Sequence, residues 1–247
     1  MKRIKTLGGT FTVQFGTTPI TFEVLYSARR TLALQVYPDR AIEVEVPTDT
    51  DHATIEAFVK RRGAWILRQL RELAQYDKPA NPLPRQYVSG ESYRYLGRQY
   101  RLKVVADNVE RMVLSRGWLT VSVIDPADRR AVQRLIHGWY RAKAEHVFYE
   151  RLIACHAIIE AFGITLPSLG IRTMKRRWGS CSKTGKVTLN LKLIQAPRAL
   201  IDYVILHELC HLVELNHSPR FWTLLTRVIP EWERLRDELN HYEFSDI

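Results

Sequence analysis

Hydrophobic and polar residues alternate with period two through most of the first half of the chain. Phe11, Val13 and Phe15 form one such set, followed by Phe22, Val24 and Tyr26, by Leu32, Leu34 and Val36, and by Ile42, Val44 and Val46. Each set predicts a half-buried strand, and together they predict hairpins. After Pro47 the spacing changes. Ile55, Phe58, Val59, Ile66, Leu67, Leu70 and Leu73 fall on one helical face, with capping side chains available from Thr48 to Asp51, so a helix is expected to about Asp77. Three prolines between Lys78 and Pro84 predict a stiff, non-helical connector.

The pattern then recurs. Strand-like alternation returns at Tyr87 and runs through Tyr93, Tyr95, Tyr100, Leu102 and Val104, through Met112 and Leu114, and through Leu119, Val121 and Val123. A shift of 77 residues lays Ile42, Val44 and Val46 on Leu119, Val121 and Val123, and lays Ile55, Phe58 and Val59 on Val132, Leu135 and Ile136. A repeated strand, strand, helix unit is therefore expected. The second helix should run from about Asp128 to Phe162, with Gly163 as its C-terminal cap. Beyond it lie a strand at Leu169 to Met174, a segment at Trp178 to Ser182, a turn at 183 to 185, and alternating Val187, Leu189 and Leu191. Pro197 opens a further helix whose surface carries Ile201, Val204, Ile205, Leu206, Leu209 and Leu212. The fold class expected is α+β, with a strand-rich region over 1–124 and a helical domain containing a β-hairpin over 125–247.

Composition narrows the setting. The 247 residues, 46% hydrophobic and 26% charged, can bury a core and do not resemble a disordered chain. No apolar run is long enough to span a membrane, and the basic start MKRIK has no apolar segment behind it, so a soluble cytoplasmic protein with no membrane partner is expected. Three scattered cysteines make no disulfide framework. Net charge is +11 with a pI near 9.7, which favours an anionic partner. No acidic residue lies between Glu160 and Asp202, whereas nine acidic residues against four arginines follow Ala199. Two faces of opposite sign are expected.

The chemistry lies in the last predicted helix, where His207, Glu208, Leu209, Cys210 and His211 spell H-E-x-x-H. Two histidines four apart share a helical face and can bind one Zn²⁺, or another divalent metal, while Glu208 can act as general base toward water that the metal activates. A third ligand is needed. Glu214 lies roughly 10.5 Å along the axis from His207 if the helix continues. A break is signalled by Asn216, which tolerates a left-handed conformation, and by Ser218 and Pro219, which cap and open a new helix. His217 at that corner is the favoured third ligand, at the metzincin spacing but with Glu214 where that motif has Gly. Glu214 and Glu231 are the alternatives. Cys210 points away from the site and reads as a buried hydrophobe, and Cys181 reads as a strand-core residue.

Several segments together resemble a known family: ArgArgThrLeu at 29–32, SerGlyGlu at 89–91, TyrLeuGlyArg at 95–98, TrpGlySerCysSer at 178–182, the His207 helix from Tyr203, and AsnHisSer at 216–218. The chain is similar to the YgjP-like metal-dependent hydrolases, related in active-site layout to SprT-like and minimal gluzincin-like metallopeptidases. The resemblance implies a zincin-like domain, metal binding at His207, His211 and His217, and the base role at Glu208. Peptidase activity and nucleoside triphosphate (UTP-type) pyrophosphatase activity both follow from it.

For a peptidase, the strand at 186 to 192 is expected to offer an edge to extended substrate. For a nucleotide hydrolase, Lys175, Arg176 and Arg177 would hold phosphates and Trp178 would stack on a base. Tyr203, Arg177 and Asn190 are candidates for stabilising the transition state. A third reading is a nucleic-acid-associated accessory protein with a structural zinc.

Overall fold

The computed structural model describes residues 6–37, 39–75, 85–182 and 184–247. The prolines expected to form a connector at 78–84, and Lys183 of the expected turn, lie outside them. The chain divides into two compact units, Met1–Lys78 and Pro79–Ile247.

In the first unit, strands β1 (Thr6–Phe15), β2 (Thr18–Ser27), β3 (Ala33–Val36) and β4 (Ile42–Pro47) form one sheet in the order β1-β2-β4-β3. β2 and β4 run parallel, and the other neighbours are antiparallel. Helix α1 (His52–Ala74) follows, and the Asp51 carboxylate accepts from the Thr54 N–H at 2.8 Å to cap it. The alternating side chains behave as their period predicts: Ile20, Phe22, Val24, Ile42, Val44 and Val46 are buried against Ile55, Val59 and Ile66 of α1. Gly63 of α1 is in close approach to the Phe15 ring, which leaves no room for a Cβ.

The second unit begins by repeating this plan. Strands β5 (Ser92–Tyr95), β6 (Arg98–Ala106), β7 (Arg111–Ser115) and β8 (Trp118–Val123) take the order β5-β6-β8-β7, with β6 and β8 parallel and the other pairs antiparallel. Helix α2 (Arg129–Ile159) follows, capped by the Asp128 carboxylate. The 77-residue shift thus corresponds to a recurring topology. α2 ends in a 3₁₀ turn at Glu160–Phe162 and a left-handed Gly163 at φ 78°.

The expected boundary after residue 124 does not fall where the chain divides. Leu119, Val121 and Val123 of β8 bury in one core with Val132, Ile136 and Tyr140 of α2 and with the helices that follow. Cutting there would strip the sheet of the helix that covers it, so the break lies before β5.

A second, three-stranded sheet comprises β9 (Ser168–Arg172), β10 (Gly179–Ser182) and β11 (Lys186–Asn190) in the order β10-β11-β9. β10 and β11 form the expected antiparallel hairpin, and β9 runs parallel to β11. Residues Leu191–Gln195 form a 3₁₀ turn that leads to α3 (Arg198–Val213), α4 (Pro219–Val228) and α5 (Trp232–His241). Pro197 sits at the N-cap of α3, one position earlier than a first-turn proline. α3 is apolar on almost every side, with Leu200, Ile201, Val204, Ile205, Leu206, Leu209 and Cys210 all buried, as befits a helix in the centre of a core. Arg151 of α2 grips Asp202 of α3 through two bonds of 2.7 and 2.8 Å, which fixes the rotation of α3 against its neighbour. Among the described residues no helix is long and apolar enough to cross a membrane.

Because each unit has its own core, Gly63→Ala should lower the stability of the first unit alone, by about 1–3 kcal/mol as the new methyl displaces Phe15. Calorimetry should show one early transition and one unchanged. A uniform shift of the whole profile would contradict separate cores.

Candidate metal centre

The structure brings His207, His211 and His217 together, with one donor atom from each lying within 4.8 Å of the others. His207 and His211 are one turn apart on α3. Their rings meet edge to face at 4.9 Å between centroids. α3 stops at Val213, and Glu214 turns to extended backbone at φ −122° while its N–H still bonds to the Cys210 carbonyl. The helix therefore ends without a left-handed Asn216, which the sequence had offered as the terminator. Ser218 accepts from the Phe221 N–H, and Pro219 takes the first turn of α4, as their chemistry predicts. This corner swings His217 back until its Nε2 is 3.0 Å from Nε2 of His207.

The donor set suits a divalent cation. Nδ1 of His211 is 3.1 Å from the Glu214 carbonyl, which can only accept, so Nδ1 carries the proton and Nε2 is left to face the other rings. Burial pushes all three imidazoles toward the neutral form. His207 lies well below its ordinary range, with the charges of His211 and His217 adding to the effect, His211 is lowered despite its carbonyl partner, and His217 falls to about 4. Neutral rings turned toward one another in a partly buried pocket are a poor arrangement for the chain alone and a good one for a shared cation. Nδ1 of His207 is buried without a hydrogen-bond partner among the described residues. The alternative third donors are placed otherwise: Glu231 bonds to Arg234 at 2.7 Å, and neither it nor Glu214 joins the cluster.

Phe221 was not singled out by the sequence reading, yet it floors the cluster. Its fully buried ring stacks on His211 at 4.5 Å and meets His207 at 5.0 Å and His217 at 4.7 Å. Trp222 stacks on His217 from outside at 5.4 Å and on Trp232 of α5 at 4.6 Å. The i, i+4 spacing of Phe221 and Leu225 reads as ordinary core, so nothing local marks Phe221 as a support for the histidines.

Glu208 is 7% exposed and lies under β10. A Cβ on Gly179 would stand 2.6 Å from Oε1 of Glu208, so glycine is what lets the strand approach the carboxylate. Burial pushes the Glu208 carboxyl up to about 8, and the nearby Arg177 charge opposes that shift. Cys181 of β10 is partly buried, and its thiol is raised to about 11 by burial and by the Glu208 charge, which agrees with a strand-core role.

The strand offered for substrate has to be reassigned. β11 is the middle strand of its sheet, paired on both sides, and residues from 191 onward are no longer strand. The edge next to Glu208 is β10 instead. Two further candidates serve the chain itself. Asn190 is 2% exposed, donates to the carbonyls of Met174 and Arg177 at 2.7 and 2.8 Å, and accepts from the N–H groups of Met174 and Lys192. Its side chain is fully used in shaping the 174–178 loop. Trp178 packs its ring on Phe244 at 4.1 Å between centroids, so stacking there is already supplied from within the chain. Tyr203 is buried one turn before His207, edge-on to it at 6.1 Å, with its phenol raised to about 12 by burial. Lys175 and Arg177 are exposed on the loop, and Arg176 is half-buried.

No curated protein matches the chain. Among solved structures it is similar to the metallopeptidase zymogen abylysin of Pyrococcus abyssi, at 26% identity over 37% of this chain and 90% of that one, with a TM-score of 0.34. It is also similar to the metallopeptidase zymogen jannalysin of Methanocaldococcus jannaschii, at 24% identity over 37% and 86%, with a TM-score of 0.32. The model of the YgjP-like metallopeptidase domain matches residues 30–242. The chain belongs to the YgjP-like family of metallopeptidases.

Proposed function

We propose that the chain is a zinc-dependent peptidase in which His207, His211 and His217 hold the metal and Glu208 handles the proton. The observation that carries this reading is the convergence of the three histidines beside a buried carboxylate, directly under a free strand edge. A bound divalent cation supplies Lewis acidity toward a carbonyl oxygen and lowers the pKa of water to about 7.

The protein's own groups supply the rest. Among the described residues β10 is short and has no strand on its outer side, so an extended peptide can add there through main-chain hydrogen bonds, which places its carbonyls over Glu208 without regard to side-chain identity. A carboxyl held near neutral pKa can take a proton from attacking water and return it to the leaving amine. The charge of Arg177 favours the carboxylate form at the start of that cycle. His207, His211 and His217 would supply three protein donors to such a cation, the number that catalytic zinc sites use. The nucleotide reading rests on the cations of the 174–178 loop, and it is tested alongside.

Glu208→Gln should retain metal and lose cleavage of unfolded polypeptide by at least about 100-fold, read as new amino termini beside metal analysis. Release of pyrophosphate from nucleoside triphosphates, dependent on Glu208, would replace the peptidase reading. His217→Ala should release most of the metal while circular dichroism stays unchanged, and full retention would remove His217 from the ligand set. Gly179→Ala, which forces a methyl against Glu208, should keep the metal and reduce turnover by about 10-fold or more.

A further inference from the structure

The β5–β8 sheet turns one face to α2 and leaves the other exposed. Strand alternation sends Leu102, Leu119 and Val121 inward, and it sends Arg101 and Lys103 of β6 and Trp118 of β8 outward. The parallel register sets Arg101 beside Trp118 and Lys103 beside Thr120. A shallow cleft of about 750 Å³ crosses this face, walled by these residues together with Ser89 and Arg116.

Three features of this face are not required by the fold. The first is charge. Strands β5 to β8 contain five Arg and Lys residues and no Asp or Glu, whereas the topologically equivalent β1 to β4 contain three Glu and no Arg or Lys. The strands of the recurring sheet thus carry opposite charge in the two units. Arg94 and Arg111 are paired with Glu243 and Asp107, but Arg101, Lys103 and Arg116 have no carboxylate partner among the described residues.

The second is Trp118, which is 42% exposed and whose indole has no ring or hydrogen-bond partner among the described residues. The third is backbone strain. Arg116 and Gly117 form the two-residue turn between β7 and β8 with φ of 47° and 83°, and a long side chain at the first position costs roughly 1 kcal/mol that Asn or Gly would avoid. Leu96 has the same strained φ of 47° in the β5–β6 turn, but there the N–H groups of Leu96 and Gly97 anchor the turn to the carbonyls of Ile194 and Gln195. Arg116 makes no such anchor, and its charge is left directed at the cleft.

We propose that this face binds single-stranded nucleic acid, with Trp118 stacked on a base and Arg101, Lys103 and Arg116 on the flanking phosphates. A flat sheet carrying an open indole between cations matches unstacked bases joined by phosphodiesters. Duplex hides its base faces, and an acidic polypeptide would leave the indole without a matching surface. The site is independent of the metal centre and of the peptidase reading.

The test uses the full chain and fluorescence anisotropy with labelled oligothymidylate and oligouridylate of about 12 nucleotides, over roughly 50 to 200 mM salt. Both single strands should bind more tightly than a duplex of equal length. Trp118→Leu should weaken binding about 5- to 150-fold, with Trp118→Tyr restoring most of it. Arg101→Ala with Lys103→Ala should weaken binding and reduce the slope of log affinity against log salt by about 1.4. Arg61→Ala with Arg62→Ala, on α1, should leave binding unchanged. The proposal is overturned by no binding, by equal affinity for duplex, by an unaltered Trp118→Leu variant, by equal loss from the α1 pair, or by polyglutamate competing as well as oligonucleotide.

Discussion

Two imidazoles and a carboxyl sit on a helix that is buried on almost every side, and most of the second unit answers that constraint. Polar groups removed from water need partners, and α3 alone cannot provide them. The corner between α3 and α4 brings a third imidazole to the first two, and Phe221 beneath them keeps all three rings apart and oriented. β10 covers Glu208 closely enough that only glycine fits between strand and carboxylate. Arg151 and Asp202 then lock the rotation of α3, so the histidines face the corner and not the core. Removing any of these leaves buried polar groups facing nothing.

Much of this plan was legible in the chain. Period-two alternation located the strands of both sheets, because each has one buried face and a polar opposite face. The H-E-x-x-H spacing and the Ser218–Pro219 pair located the three imidazoles that converge, because helical geometry and capping are local properties. What could not be read was set by distant contacts. The central place of β11 depends on β9, which arrives parallel from before the hairpin. Asn190 and Trp178 looked available for substrate because their partners, the 174–178 backbone and Phe244, are identified only by the fold. The division of the chain was misplaced for a similar reason: strands β5 to β8 look like a continuation of the first sheet in pattern, yet they share a core with α2.

The recurrence of one topology in both units separates what the architecture demands from what it permits. Inward positions are apolar in both sheets, as burial requires. The charged strand positions differ: Glu23, Glu43 and Glu45 of the first sheet are buried or half-buried, with Glu45 held by Ser27 and Arg29, whereas Arg101 and Lys103 of the second sheet face solvent.

The segment after α5 adds a different kind of dependence. Gln195 exchanges two hydrogen bonds with the Ser245 backbone, at 2.9 and 3.0 Å, and Tyr242 donates to the Gln195 carbonyl. Phe244 covers Trp178 next to the loop that carries Arg177. The imidazole cluster closes over a span of 10 residues, whereas this clasp closes over 50. Loop closure favours the shorter span by about 1.4 kcal/mol. The three-imidazole cluster is thus closed locally and the wall beside Glu208 remotely, so a chain loosened at its clasp disturbs the wall before it disturbs the cluster.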